Sequence, residues 1–226
     1  MEILYEDNHI IAVNKAVGEI VQGDKTGDTP LVDMLKQWLK QKYNKPGNVF
    51  CGVTHRLDRP VSGVVVFAKT SKALERFNEM LRNHDVKKTY WAIVKGVPKE
   101  TEATLTHYLV RNEKANKSFA SEMPKGDAKK AVLSYKVIAT SDNSSLLEVD
   151  LQTGRHHQIR CQLSAIGCPI KGDLKYGFPR SNKDGGISLH ARKVEFIHPV
   201  SKTPVTIVAP TPAEKLWDTL TSGIKP

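Results

Sequence analysis

The chain has 226 residues, of which 39% are hydrophobic and 26% charged, so it can bury a core of its own and disorder over the whole length is excluded. Its 34 lysines and arginines against 24 aspartates and glutamates give a formal net charge of +10, which favours polyanionic partners such as nucleic acids. The three cysteines form no C-x-x-C pair, so neither a disulfide framework nor a zinc ribbon is indicated. We see no leader-like segment and no long apolar run, and we therefore expect a cytoplasmic protein without a membrane span.

Hydrophobic periodicity predicts strands that are interrupted irregularly by helices. In chain order we predict a hairpin at residues 3–5 and 10–13, a helix that begins at Pro30 and ends before 45–47, a buried strand at 63–68, a helix capped by Ser71, strands at 89–94, 105–110, 132–138 and 146–151, a helix from 153 to 167, strands at 187–191, 194–196 and 205–208, and a short terminal helix around Trp217. Because strands and helices do not alternate regularly, an α+β fold with a mixed, largely antiparallel sheet flanked by helices is expected.

Residues 111–130 are polar and rich in lysine, and no strand or helix pattern is evident in them. We expect a mobile basic loop there. A solvated linker and a segment that contacts RNA are equally compatible with this composition.

Asp58 lies in a turn-rich segment, residues 55–63, that leads into the buried strand. Arg56 and Arg59 flank it, and a cation within about 4–6 Å would keep its carboxylate ionised. An ionised, positioned carboxylate can serve as a nucleophile. The same pattern also fits a turn aspartate that hydrogen-bonds its own backbone beside Pro60.

A second segment, residues 87–96, combines an aromatic strand with lysines at both ends. Tyr90 could stack on a base while the lysines hold phosphates. A half-buried strand with ordinary aromatic packing is the alternative.

Arg155 falls in the first turn of the predicted helix 153–167. A cation there opposes the helix dipole and thus indicates an anionic partner. Ile159 would share its helix face, which offers a guanidinium and an apolar wall side by side. His156 and His157 are adjacent and would point apart, so they make a poor pair of metal ligands. We also find no phosphate-binding loop, dinucleotide fingerprint or zinc-deaminase motif.

Taken together, these three segments resemble the RluA family of RNA pseudouridine synthases. The resemblance rests on His55-Arg56-Leu57-Asp58 with Ser62-Gly63, on Lys88 to Gly96, and on Gly154-Arg155, His157-Gln158-Ile159-Arg160, Gly167, Pro169-Ile170, Gly172-Asp173 and Tyr176-Gly177. The order and rough separation of the segments also agree with the family pattern. Val61 and Gln162 depart from its common threonine and histidine, which bears on the RNA target.

The resemblance implies a single catalytic domain over residues 1–226, without the N-terminal RNA-binding extension that the family often carries. It implies isomerisation of uridines in ribosomal or transfer RNA by a monomeric enzyme that needs no cofactor or metal. The catalytic residues it implies are Asp58, Tyr90 and Arg155, and the substrate-binding residues are His55, Arg56, Leu57, Ile159 and Arg160.

In the mechanism implied by the resemblance, Asp58 attacks the anomeric carbon or the uracil ring, or removes a sugar proton to give a glycal. Arg155 would keep Asp58 ionised, Tyr90 would stack on the uracil, and Ile159 would pack on the base. The target base must first leave its stack. Two other functions remain open at this point: a non-catalytic RNA-binding protein on the same fold, and a nucleotide-directed hydrolase that uses Asp58 and His55.

Overall fold

The computed structural model describes residues 1–224, which form strands in two groups with helices packed on them. The elements are β1 (Glu2–Glu6), β2 (Ile10–Lys15), α1 (Leu31–Lys42), β3 (Gly52–Val53), β4 (Ser62–Ala68), α2 (Ser71–Arg82), β5 (Lys87–Lys95), β6 (Glu102–Asn112), β7 (Lys117–Ser121), β8 (Lys129–Ser141), β9 (Ser144–Leu151), α3 (Gln158–Ala165), a 3-10 helix (Leu174–Tyr176), β10 (Leu189–Ile197), β11 (Pro204–Val208) and α4 (Lys215–Thr221).

The first compact unit comprises Met1–Lys87 and Ala191–Pro210. Its strand order is β1-β2-β4-β10, with β11 added to β10 and the short β3 paired with β4. All seven residues of β4 are buried, as a continuous apolar run predicts for a central strand. The core of this unit joins β2, β4, β10 and β11 to Phe77 of α2.

The second unit comprises Lys88–His190 and the chain from Thr211 onward. Its strands follow the order β5-β9-β8-β6-β7. One core cluster packs Trp91 and Ile93 of β5 against Trp217 and Leu220 of α4. A second cluster joins Cys161 of α3 to Leu109, Ala131 and Tyr176.

The predicted α+β fold is confirmed, because every strand pair with a described register is antiparallel and the helices do not alternate regularly with strands. The opening hairpin, α1, the buried strand and α4 also form where the apolar patterns predict them. Whether the chain is one catalytic domain stays a prediction, since compactness alone does not decide it. No helix within residues 1–224 is long and apolar enough to cross a membrane.

Three boundary predictions are wrong, each for a local reason. The N-cap of α2 is Thr70, not Ser71, because the Thr70 side chain accepts a hydrogen bond from the Ala73 amide at 3.2 Å. The two late strands predicted at 187–191 and 194–196 are one strand, β10, whose polar Lys193 pairs in register with Val208 of β11. Helix α3 begins at Gln158 rather than at residue 153.

The expectation of a mobile loop over residues 111–130 is also wrong. Strand β7 lies within this stretch and pairs with the end of β6, with Val110 opposite Phe119. Its pattern is too polar to predict a strand. The pairing partner, which lies across a short turn, supplies the register instead.

Candidate active site

Asp58 lies on the loop between β3 and β4, in the first unit. The carbonyl of Asp58 accepts a hydrogen bond from the Val61 amide at 3.0 Å, which closes a tight turn before β4. The side chain of Asp58 is half-buried. Because this bond uses the backbone carbonyl of Asp58, both sequence hypotheses, a side chain bonded to its own backbone and a catalytic carboxylate, stay predictions.

Strand β4 anchors the start of this loop through two neighbouring side chains. Thr54 Oγ1 donates to the Val66 carbonyl at 2.7 Å, and His55 Nε2 accepts from the Val66 amide at 3.1 Å. An imidazole nitrogen that accepts an amide N–H must be unprotonated, so this nitrogen of His55 is occupied by the fold. His55 therefore helps to position the loop. Its contact with substrate stays a prediction.

The two residues before Asp58 face different environments. Leu57 is buried and anchors the loop in the protein, so its predicted role as a substrate contact is not favoured. Arg56 is exposed and remains available to an external partner.

Arg59, which the sequence pattern suggests as a cation for Asp58, has its described partners in an earlier segment of the chain. Its guanidinium bonds Asp28 at 2.6 Å and Thr26 at 2.8 Å, and its second carboxylate partner is Asp24. These contacts fasten the loop to the segment that precedes α1.

Lys15, which sequence reasoning missed, lies beneath the Asp58 loop. It ends β2 with its side chain fully buried, and its amine donates to the carbonyls of Ala16 at 3.0 Å, Arg59 at 3.1 Å and Val61 at 2.6 Å. Two of these carbonyls, those of Arg59 and Val61, closely follow Asp58 in the chain. Burial lowers the pKa of Lys15 to about 8, although the charges of Glu19 and Asp58 act in the opposite direction. The sequence signal was a lysine soon after the apolar run of residues 10–13.

Tyr90, in the second unit, belongs to β5 and is opposite Val149 of β9. Alternation along the strand directs Tyr90 and Trp91 to opposite faces. Trp91 belongs to the α4 cluster, and its Nε1 donates to Glu148 at 3.2 Å. Tyr90 is buried but for 7% of its surface, so only a small part of the ring is open to a partner.

Arg155 precedes α3 and lies outside the helix, in contrast to the sequence prediction. His157 adopts a left-handed conformation with φ of 52°, which breaks the helical path between Arg155 and Gln158. The dipole argument for an anionic partner and the shared helix face with Ile159 therefore lose their basis. Arg155 is exposed, and its Nε donates to the Lys130 carbonyl of β8 at 3.1 Å.

Gln158, also missed as a site residue, holds the turn that carries Arg155. Its buried amide oxygen accepts from the Arg155 amide at 3.0 Å and from Thr153 Oγ1 at 2.7 Å. Its amide nitrogen donates to the Val132 carbonyl at 3.1 Å. The side chain thus ties the turn to β8 and replaces a helical first turn.

The remaining predicted residues of this segment are buried in the second unit. Ile159 lies on α3 with 5% of its surface exposed. Arg160 forms a bidentate pair with buried Asp173, at 2.7 Å and 2.9 Å. Because a buried, paired guanidinium cannot reach a solvent phosphate without breaking this bond, the geometry favours a structural role for Arg160 over the predicted substrate contact.

The two adjacent histidines are engaged by the protein. Their rings stack with centroids 3.8 Å apart. His156 bonds Ser118 Oγ at 3.0 Å, and His157 Nδ1 lies 3.0 Å from the Tyr176 hydroxyl. Through these contacts, the two histidines connect the start of α3 to β7 and to the 3-10 helix.

Comparison with known proteins identifies similar chains over nearly the whole length. A family model described as RNA pseudouridylate synthase matches residues 9–165. Ribosomal large subunit pseudouridine synthase D of Zymomonas mobilis is 33% identical over 227 residues, which cover 95% of this chain and 70% of that protein. For tRNA pseudouridine synthase C of Vibrio cholerae the identity is 31%, and the match covers 98% of this chain and 95% of that protein. The solved structure of human RNA pseudouridylate synthase domain containing 4 is 26% identical, with a TM-score of 0.79 over 94% of this chain and 89% of that one.

Proposed function

Because the chain belongs to the RluA family of RNA pseudouridine synthases, and is thus an isomerase that acts on RNA, we propose that it converts specific uridines of ribosomal or transfer RNA to pseudouridine with Asp58 as its catalytic carboxylate. The observation that supports Asp58 is the construction of its loop. A buried ammonium, an anchoring histidine and a tight turn hold the backbone around a half-buried carboxylate. Such supports restrict the carboxylate to few positions, which is what a reacting group requires.

The reaction breaks the bond between the sugar C1′ and N1 of uracil and forms one between C1′ and C5. A proton leaves C5 and N1 gains one, so the mass of the RNA does not change. Asp58 would act on the nucleotide by attack at C1′, by addition to the ring, or by removal of a sugar proton. All three routes need the ionised carboxylate at the flipped-out nucleotide.

We propose the remaining roles for three residues of the second unit. Arg155 would supply positive charge to Asp58, Tyr90 would contact the uracil with its exposed edge, and Ile159 would form an apolar wall. Two features of Arg155 support its role. Its described side-chain hydrogen bond to the Lys130 carbonyl positions the guanidinium, and this bond uses one of the five N–H donors of the group.

RNA contacts outside the reacting nucleotide would offset the cost of extruding the base, which is a few kcal/mol. We propose that exposed Arg56 and the β6–β7 hairpin provide part of them. Phe119 of the hairpin is 52% exposed, and the Lys117 amine lies 5.5 Å from its ring centre. An exposed aromatic ring beside a lysine is suited to stack on an unpaired base next to the RNA backbone. We further propose that the enzyme acts as a monomer in the cytoplasm.

The test is a site-resolved pseudouridine map of total RNA from cells that lack the gene and are rescued with wild type or Asp58→Asn. We expect one or a few sites to disappear and to return only with wild type, since asparagine carries no charge for the reaction. Asp142→Asn, which changes an exposed turn aspartate, is the matched control and should restore every site.

A map that Asp58→Asn restores fully would reject Asp58 as the catalytic carboxylate. If the map does not change when the gene is lost, purified protein is assayed on transcribed ribosomal and transfer RNA. Binding without conversion there would favour a non-catalytic RNA-binding protein.

A further inference from the structure

Lys88 carries an ammonium group that the protein does not pair. It is the second residue of β5, and its side chain is largely buried. Within residues 1–224 its side-chain amine forms no hydrogen bond and no ion pair. Burial lowers the pKa of Lys88, and no neighbouring carboxylate opposes this effect. An unpaired buried charge costs free energy. A lysine at this position is therefore explained if its ammonium group binds an anionic ligand from outside the protein.

Other buried cations of the chain have their partners built in. Arg160 has the carboxylate of Asp173, and Lys171 has Asn182 and Glu214 at 3.0 Å and 2.9 Å. Lys15 has three backbone carbonyls. The Lys88 amine has no such partner among the described residues, so packing within the protein does not explain why a cation lies there.

The position of Lys88 links the two proposed site residues of the second unit. Lys88 and Tyr90 are two residues apart on one strand, and their side chains therefore leave the same face of β5. The Lys88 amine also lies next to Gly154, which directly precedes Arg155: a Cβ placed on Gly154 would be 4.0 Å from Nζ.

Gly154 leaves space in front of this amine. Its backbone is not in the left-handed region, so the conformation does not require glycine. A Cβ at this position would meet no other atom within 4 Å. The missing side chain leaves room for a ligand against the ammonium group.

We propose that Lys88 binds the phosphate on one side of the target uridine in the substrate RNA, an inference that rests on the proposed function. The phosphates are the anionic groups of RNA, and a non-bridging oxygen would accept a charge-assisted hydrogen bond from the ammonium. Partial burial strengthens this bond relative to one in open water. Lys88 would thereby fix the backbone of the flipped nucleotide beside Tyr90 and Arg155.

The test uses a stem-loop RNA that carries a uridine identified by the pseudouridine map. In two further RNAs, the phosphate on the 5′ or the 3′ side of that uridine is replaced by a neutral methylphosphonate. With wild type, we expect one of the two replacements to lower kcat/KM by about ten- to a hundredfold, the range of a lost hydrogen bond between charged groups. Lys88→Met should lose a similar factor on the unmodified RNA and lose little more on the modified one.

This lack of additivity distinguishes a direct contact from two independent defects. Lys87→Met, an exposed neighbour on the opposite face of β5, is the matched control and should behave as wild type. Lys88→Met should melt at the same temperature as wild type or higher, because it removes an unpaired buried charge. If the methionine variant does not fold, Lys88→Gln replaces it in the same cycle.

The phosphate contact is rejected if the Lys88 variants keep wild-type kcat/KM, or if their loss multiplies fully with that of both methylphosphonates. Activity of wild type on the unmodified stem-loop is measured first. Inactive wild type would contradict the proposed function, and the phosphate contact with it. Active wild type with insensitive Lys88 variants would contradict the phosphate contact alone.

Discussion

At the scale of single residues, Lys15 shows how the fold supports the loop that carries Asp58. Its buried amine donates to one carbonyl within the Asp58 turn and to one at the end of this turn. The ammonium also contributes positive charge near Asp58, whereas the described partners of the Arg59 guanidinium include Asp28 and Thr26. Lys15 thus contributes to both the charge and the geometry at the Asp58 carboxylate.

We predict that kcat/KM falls as the pH rises through about 8, where Lys15 loses its proton. Below this pH the ammonium holds the Asp58 loop and favours the ionised carboxylate. Above it, the neutral amine provides fewer donors and no charge. A pH–rate profile of wild type and Lys15→Met measures the effect, and the variant should have a lower plateau without the decline near pH 8.

The stability contribution of Lys15 should change with the opposite sign. Its folded pKa lies below the ordinary value of 10.5, so between about pH 8 and 10.5 the unfolded chain binds more protons. The contribution of Lys15 to the free energy of unfolding therefore rises across this range while activity falls. A decline in activity that Lys15→Met shares would exclude Lys15 as its cause.

At the scale of elements, the β6–β7 hairpin tests the proposed RNA surface. We predict that Phe119→Ser weakens RNA binding by about five- to a hundredfold, since stacking of one base on an aromatic ring contributes about 1–3 kcal/mol. The ring is half exposed, so the free energy of unfolding should change little. Fluorescence anisotropy with a labelled stem-loop gives the Kd.

Val97→Ser serves as the control, because Val97 is a similarly exposed apolar residue outside the hairpin. An unchanged Kd for Phe119→Ser would place the RNA on another surface.

The elements that the sequence predicted well are those whose pattern and environment agree. Strand β4 is buried throughout and apolar after Ser62, and α2 repeats apolar residues around Phe77 with a helical period. Strand β7 could not be predicted, because its Lys117 and Ser118 gain strand structure from pairing with β6.

Helix α3 illustrates the same limit at a helix start. The sequence predicts that this helix begins at Thr153-Gly154. The actual start depends on Gln158, whose amide binds the Val132 carbonyl 26 positions away in the chain. A contact between residues so far apart in the chain cannot be predicted from the local sequence pattern.

The candidate site divides along similar lines. The motif pattern identified Asp58, Tyr90 and Arg155, whose roles remain proposals. The sequence gives no sign that Arg160 has a partner within the protein, and the fold pairs it with Asp173. Its contact with substrate stays a prediction. Lys15 escaped notice because a lysine at a strand end normally reaches water, and only the structure shows that it does not. The sequence already suggests that the lysines around Tyr90 hold phosphates, and the structure adds that the Lys88 side chain is largely buried.

At the scale of the whole molecule, the net charge of +10 is the property most directly linked to RNA. A polyanion gains counterion-release free energy when cations of a protein replace its condensed ions. Net charge of this kind sets association and says nothing about the reaction. The reaction and the binding can therefore be separated experimentally.

We predict that RNA binding depends steeply on salt. Each phosphate contact contributes about 0.7 to 0.9 to the slope of log Kd against log salt concentration, so five contacts would weaken binding by about 10² to 10³ between 50 and 200 mM salt. Anisotropy titrations with Asp58→Asn measure binding without turnover, and a potassium glutamate series beside potassium chloride separates effects of the anion. A slope near zero would mean that the positive charge does not meet the RNA backbone, and recognition would then have to come from contacts to the bases.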